Sequence, residues 1–191
     1  MSESQSALVA SASQTVGPFF HVGPARSDQL GRLASADTAG EAMHLRVRVL
    51  DGGGVPVNDA LVEILQSDAT GAFSEHPADG QPSPAFSGFG RLATDEDGWC
   101  TFETIRPGPV ETPGGRQAAH FTVCLFMRGL LRHICTRIYF AGDPALEHDP
   151  VLAIVPESRR PTLLAQACAD GTTWEFTVHL QGDTETVFFD L

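Results

Sequence analysis

Apolar and polar residues alternate along this chain in short bursts separated by turn residues. Met43, Leu45, Val47 and Val49 are interleaved with His44, Arg46 and Arg48, the period-two pattern of a strand with one buried face. DGGG at 51–54 supplies a turn, and ALVEILQ (60–66) reads as a second strand, apolar on both faces. Residues 67–90 form a long loop rich in Ser, Pro, Gly and Asp, and a loop of that length in a compact domain points to function or to an interface. GRLAT, DEDG and WCTFETI (90–105) predict a hairpin with an acidic Gly turn. A loop, RPGPVETPGG (106–115), leads to the clearest hairpin, AHFTVCLFM (119–127) and LLRHICTRIYF (130–140), joined at Arg128-Gly129. PESRRPTLLAQACADG (156–171) predicts a helix, with Pro161 in its first turn and Gly171 just past its end. TTWEFTVHL (172–180) and TETVFFD (184–190) predict two closing strands.

The first forty residues are rich in Ser, Ala, Gly and Pro and predict an arm with at most a short helical turn around Ser27 to Leu33. The expected architecture is therefore mostly β: an antiparallel β-sandwich with an N-terminal arm and one or two short helices. In residue terms this is an arm over 1–40 and a sandwich over 41–191, in a single domain. No internal repeat or linker interrupts it.

Composition narrows the function. At 191 residues, 42% hydrophobic and 19% charged, the chain suits one folded core and is too apolar for disorder. A net charge of −12 argues against nucleic-acid and anionic-membrane partners, both of which need a basic surface. No apolar run approaches the ~20 residues of a membrane span, and the N-terminus lacks the basic region of a signal peptide. Cys100, Cys124, Cys135 and Cys168 are scattered without a CxxC pair, which suggests neither a zinc site nor a disulfide framework and fits a reducing, cytoplasmic setting. One tyrosine, Tyr139, stands against twelve phenylalanines. No site that needs two phenolates can be built from this chain.

Four segments then converge on one pattern. SQTVGPFF (13–20), VPVNDALVEILQSDATGAF (55–73), FSGFGRLATDEDGWCTFETIRPGPV (86–110), and AHFTV with TRIYF (119–123, 136–140) together resemble the intradiol ring-cleaving dioxygenases, from about residue 13 onward. The ending QGDTETVFFDL and the RGLLRH hairpin look more like the alpha type of subunit in the family's two-chain enzymes than like its catalytic sister.

The resemblance implies ferric iron held by two tyrosinates and two histidines, a donor set suited to a hard cation. The first tyrosine is expected at Phe73 and the second at Val110. The histidine pair is expected at His120 and Thr122, so only His120 remains of the four. Nearby, the arginine expected three residues before the histidine pair is Gln117, and the glutamine expected before the IYF triplet is Arg137. The implication is that this chain holds no metal and no catalytic residues of its own. Fe(III) would be bound by a partner beta subunit in a hetero-oligomer.

In that arrangement the chain shapes the pocket for a small aromatic acid. The pieces the resemblance assigns to substrate binding are Gly17, Pro18 and Phe19 on the arm, where Phe19 replaces a usual Tyr, and Arg128 at the hairpin tip. Physical chemistry favours Arg128 for the substrate carboxylate: guanidinium presents a planar fork and stays charged at any working pH. Glycine lets backbone approach a ligand closely, and proline holds the arm's shape. His133 and His148 read as surface or interface residues, and Phe20, Phe86 and Phe89 as packing. Two other functions compete: a single-chain catechol dioxygenase, against which the absent tyrosines speak directly, and a stand-alone β-sandwich binding or interaction module without catalytic activity.

Overall fold

The computed structural model describes residues 10–17, 20, 23, 28–74 and 85–190. Ten strands carry the architecture: β1 (Ala42–Leu50), β2 (Leu61–Leu65), β3 (Phe89–Ala93), β4 (Trp99–Ile105), β5 (Val110–Thr112), β6 (Gly115–Gln117), β7 (His120–Phe126), β8 (Ile134–Phe140), β9 (Leu164–Ala167) and β10 (Thr173–His179). A four-residue helix, α1 (Pro150–Ala153), and three short 3-10 turns at Asp28–Gly31, Pro144–His148 and Glu157–Leu163 complete the described elements. Eight strands run in the order β3-β2-β7-β8-β9-β10-β1-β4, while β5 and β6 form a separate ribbon. The fold is a mostly-β sandwich in which β9 joins one layer, β3-β2-β7-β8, to the other, β10-β1-β4. Pairing is antiparallel except for β1 with β10 and β8 with β9.

Alternation places the core. Met43, Leu45, Val47 and Val49 point inward from β1, and Phe121, Val123 and Leu125 do so from β7, all at or below 4% exposure. They meet Val62, Ile64, Phe102, Ile138 and Phe140 in one apolar cluster, each such side chain contributing roughly 1.5–3 kcal/mol by leaving water. Leu33, preceding the first strand, is buried in the same cluster, because Arg32 and Ala34 bridge to Glu103 and Phe86. The other face of β7 and β8 carries His120, Thr122, Cys124, Cys135, Arg137 and Tyr139. Two of the four expected ligand positions, 120 and 122, therefore lie on a polar face outside the main core.

Three local expectations are corrected by tertiary packing. The segment 156–171 is not a helix: a 3-10 turn over Glu157–Leu163 containing Pro161 gives way to β9. Strand β9 pairs with β8 on one side and β10 on the other. Two ready backbone partners outweigh the few tenths of a kcal/mol per residue by which Leu, Ala and Gln favour helix, and Pro161 removes a helical donor.

The acidic turn at 95–98 does form, with Trp99 N donating to Asp95 Oδ1 and Gly98 at φ 78°. Its flanking strands do not make a hairpin, however. β3 pairs with β2 and β4 pairs with β1, so the turn is an arch between the layers.

TETVFFD makes a single bridge, Phe189 to Cys135, rather than a strand. The far end of that edge of β8, at Tyr139 and Phe140, is already occupied by β9.

Candidate functional site

Of the positions where iron ligands would be expected, His120 and Thr122 open β7 and Val110 pairs with Gln117 just before it. Asp68 organises the first loop: its carboxylate accepts from the backbone N–H groups of Thr70 and Ala72, and its carbonyl accepts from those of Gly71 and Gly108. Gly71 sits at φ 92°, and a Cβ there would lie 2.1 Å from the Pro109 carbonyl oxygen. Only glycine lets the 68–73 loop lock against the 106–110 loop. This interlock brings the Phe73 segment beside Val110. Phe73 itself is 49% exposed, whereas Val110 is buried.

His120 and Thr122 share the outer face of β7, opposite Tyr139 and Arg137 of β8. His120 is buried, and its Nδ1 lies 2.7 Å from the Ala118 carbonyl oxygen. Burial first, and then the charge of Arg137, push its pKa down to about 4, so at neutral pH it is an uncharged imidazole. A polar network lies behind it. Arg137 Nη1 donates to Gln117 Oε1 at 3.0 Å and contacts the Tyr139 hydroxyl at 3.3 Å. The hydroxyl donates in turn to Asp149 Oδ1 at 3.3 Å. Asp149 is buried; it caps α1 through Val151 N and Leu152 N and accepts from Ala118 N. Burial pushes the Tyr139 hydroxyl up to about 12, so it is a neutral phenol committed to a hydrogen bond.

This donor set does not fit ferric iron. Phe73 and Val110 offer no donor atom, Thr122 offers an uncharged hydroxyl, and Arg137 faces Thr122 across the strand pair. A fixed cation stands where a trivalent cation would have to be neutralised. Among the described residues, no group of three or more His, Cys, Asp or Glu side chains is arranged to hold a metal ion.

A second site lies at the opposite end of β7. The hairpin tip turns through Gly129 at φ 91°, and Gly129 N donates to Thr15 Oγ1 at 2.8 Å. This bond fastens the arm to the tip beside Arg128. Gly17 follows two residues later and accepts from Phe20 N, and the Phe20 ring meets Phe126 at 5.9 Å. Arm, tip and C-terminal tail enclose an open cleft of about 490 Å³ whose lining includes Val16, Phe126, Met127, His133, Cys135 and Phe189. Arg128 forms an ion pair with Asp59, its own side chain 58% exposed and that of Asp59 15%. Pro18 and Phe19 lie outside the described residues.

The structure thus brings the arm to the Arg128 hairpin tip and separates Arg128 from the expected ligand positions His120 and Thr122. From His120 to Phe126 the strand runs six extended steps, roughly 20 Å at about 3.3 Å each, with Arg128 farther still. Sequence reasoning passed over Asp59 and Thr15. Asp59 follows Asn58 in a turn and carries no motif, and Thr15 lies in a segment without periodicity. Asp149 had a readable signal, since an Asp before a Pro is a helix N-cap. No helix among the described residues is long and apolar enough to cross a membrane.

Comparison with known proteins places the chain in a family. Residues 15–182 match the protein-family model described as "Dioxygenase". The chain is 39% identical over 193 residues to the protocatechuate 3,4-dioxygenase alpha chain of Pseudomonas putida, covering 93% of this chain and 94% of that one. It is 34% identical over 164 residues to the protocatechuate 3,4-dioxygenase beta chain of Burkholderia cepacia, covering 80% and 69%. Among solved structures, 3-chlorocatechol 1,2-dioxygenase from Rhodococcus opacus 1CP superposes with a TM-score of 0.64 at 24% identity, over 88% of this chain and 71% of that one. With the family model spanning most of its length and a relative this similar over nearly all of it, the chain belongs to the intradiol ring-cleaving dioxygenase family.

Proposed function

We propose that this chain is the iron-free alpha subunit of a protocatechuate 3,4-dioxygenase acting in the cytoplasm. The complete enzyme would cleave protocatechuate with O2 between its two hydroxylated carbons to give 3-carboxy-cis,cis-muconate. Fe(III) would be held by a beta subunit and would supply the Lewis-acid chemistry that activates the catechol. The observation that carries this reading is the separation within β7. Arg128 stands roughly 20 Å or more from His120 and Thr122, expected ligand positions that cannot ligate iron, so a substrate gripped by Arg128 must react at a metal on another chain.

In this reading the chain's own residues do positional work. Arg128 binds the substrate carboxylate, the arm at Gly17 closes one wall, and the apolar side chains of the cleft exclude water around the ring. Asp59 keeps Arg128 folded back until the substrate carboxylate replaces it. With its Arg128 side more than half exposed, the Arg128–Asp59 pair is worth only about 0.2–1 kcal/mol. A charge-assisted bond to a partly desolvated carboxylate contributes about 1.5–3 kcal/mol, so the exchange runs toward substrate.

Co-expression with a beta-type chain tests the proposal. The expected result is a stable complex with visible ferric-tyrosinate absorption and ring-cleaving activity, and a colourless, inactive chain when expressed alone. Stoichiometric iron on the isolated chain overturns it.

A further inference from the structure

Cys124 and Cys135 are eleven residues apart in sequence and face each other directly across the β7–β8 pair. Their Sγ atoms lie 3.0 Å apart, and both thiols are free. The pairing type is set by the backbone. Cys135 directs its carbonyl away from β7, to accept from Phe189 N at 2.8 Å. Successive residues of a strand point their N–H and C=O groups to alternate neighbours, so Cys124 and Cys135 form a non-hydrogen-bonded pair. Such pairs hold their Cα atoms about 4.5 Å apart, inside the roughly 4.4–6.8 Å window of disulfides. Forming the bond needs the sulfurs to close by only about 1 Å, to about 2.05 Å.

We propose that Cys124 and Cys135 are an oxidative modification site, a dithiol that a peroxide converts into a reversible intrachain disulfide. Cys124 is half-buried on the outer face of the sheet while Cys135 is buried, which makes Cys124 the attacking sulfur and Cys135 the resolving one. The Cys124 thiolate displaces hydroxide from hydrogen peroxide, breaking the O–O bond and giving a sulfenic acid and one water. The Cys135 sulfur then attacks the sulfenic sulfur and releases a second water. Two thiols are oxidised by two electrons and one peroxide is reduced to two waters.

Burial, the contact with Cys135 and the charge of Glu63 hold the Cys124 thiol up at about 12. Thiolate is therefore scarce at neutral pH, and the site responds to sustained rather than passing exposure to oxidant. The bond would staple the two strands that present the Arg128 turn. Cys135 also lines the cleft, so oxidation is felt at that wall.

The test is a peptide map of the full chain after hydrogen peroxide, alkylation and trypsin. Cutting after Arg116, Arg128, Arg132 and Arg137 releases QAAHFTVCLFMR (117–128) and HICTR (133–137) as separate peptides. The expected product is these two joined, two hydrogens lighter than their sum and separated by dithiothreitol, with Cys100 and Cys168 still alkylated. Cys124→Ser and Cys135→Ser each abolish the joined species; the half-exposed Cys124→Ser serves if the buried substitution fails to fold. Alkylated or sulfinic forms of the two peptides without the link, or a link from either cysteine to Cys100, Cys168 or another chain, overturn the proposal.

Discussion

Arg137 and Gln117 are hydrogen-bonded side chain to side chain, Nη1 to Oε1 at 3.0 Å, across the turn from β6 into β7 and β8. The family pattern leads one to expect the same two residue types in exchanged positions, arginine at 117 and glutamine at 137. In this chain the two side chains bond in the reversed order, which puts the positive charge on the strand residue that faces Thr122. An arginine there does two things at once: it braces Tyr139 and Gln117, and it makes the neighbouring positions hostile to a metal cation.

Returning the pair to the expected order should show the coupling directly. Gln117→Arg and Arg137→Gln should each destabilise the chain by about 1–3 kcal/mol, and the double exchange should recover a substantial part of that loss. Denaturant unfolding of the four proteins in a double-mutant cycle measures it; strictly additive losses would show that the bond contributes nothing.

Rebuilding the metal ligands should fail while Arg137 remains. Phe73→Tyr, Val110→Tyr and Thr122→His together restore four donor side chains with His120, yet the guanidinium still stands opposite position 122. The expected outcome is negligible ferric binding by the triple variant and measurable binding once Arg137→Gln is added, read by metal analysis and visible absorption. Equal iron content with and without Arg137 contradicts the electrostatic argument.

On the proposed role of the hairpin tip, Arg128 and Asp59 should have opposite effects on substrate binding. In the reconstituted complex, Arg128→Ala should raise KM for protocatechuate by about 10- to 150-fold, the equivalent of about 1.5–3 kcal/mol, with iron content unchanged. Asp59→Asn should lower KM by a factor of about 1.5–5, because the ion pair it removes, solvated on its Arg128 side, is worth only about 0.2–1 kcal/mol. Steady-state kinetics with and without the carboxylate on the catechol ring tests both. An unaltered KM in Arg128→Ala removes that residue from the pocket.

Acid sensitivity should trace to His120. Its ordinary pKa of 6.5 falls to about 4 in the fold, so above pH 6.5 it is neutral in both states and contributes no pH dependence. As the pH drops from 6.5 toward 4, the unfolded chain takes up a proton that the native chain refuses. Stability is lost over that window and levels off below it. At about 1.4 kcal/mol per pH unit the loss totals roughly 3 kcal/mol. His120→Asn should flatten the unfolding midpoint between pH 6.5 and 4; an unchanged slope would assign the acid sensitivity to other groups.

Much of the fold and of the candidate site is legible in the order of residues alone. The alternation in β1, the Arg128-Gly129 hairpin and the sandwich class follow from period-two patterning and turn residues. Set against the family pattern, Phe73, Val110 and Thr122 stand where metal ligands are expected and supply neither a phenolate nor an imidazole. Other features escape because they depend on what lies across the chain. LLAQA reads as helix until two strands offer it hydrogen bonds on both sides. GRLAT and WCTFETI read as a hairpin until the layers pull them apart. Cys124 and Cys135 look scattered because cross-strand register, not sequence spacing, makes them neighbours.

The sequence by itself determined that this chain is a β-sandwich of the intradiol family without phenolates at the two expected positions, since those facts live in residue identity and local period. Only the tertiary structure decided that Arg137 faces Thr122, that Asp59 holds Arg128, and that the arm meets the hairpin tip far from His120. Those relationships join residues distant along the chain, and strand register and the stacking of the two layers are the physical interactions that bring them together.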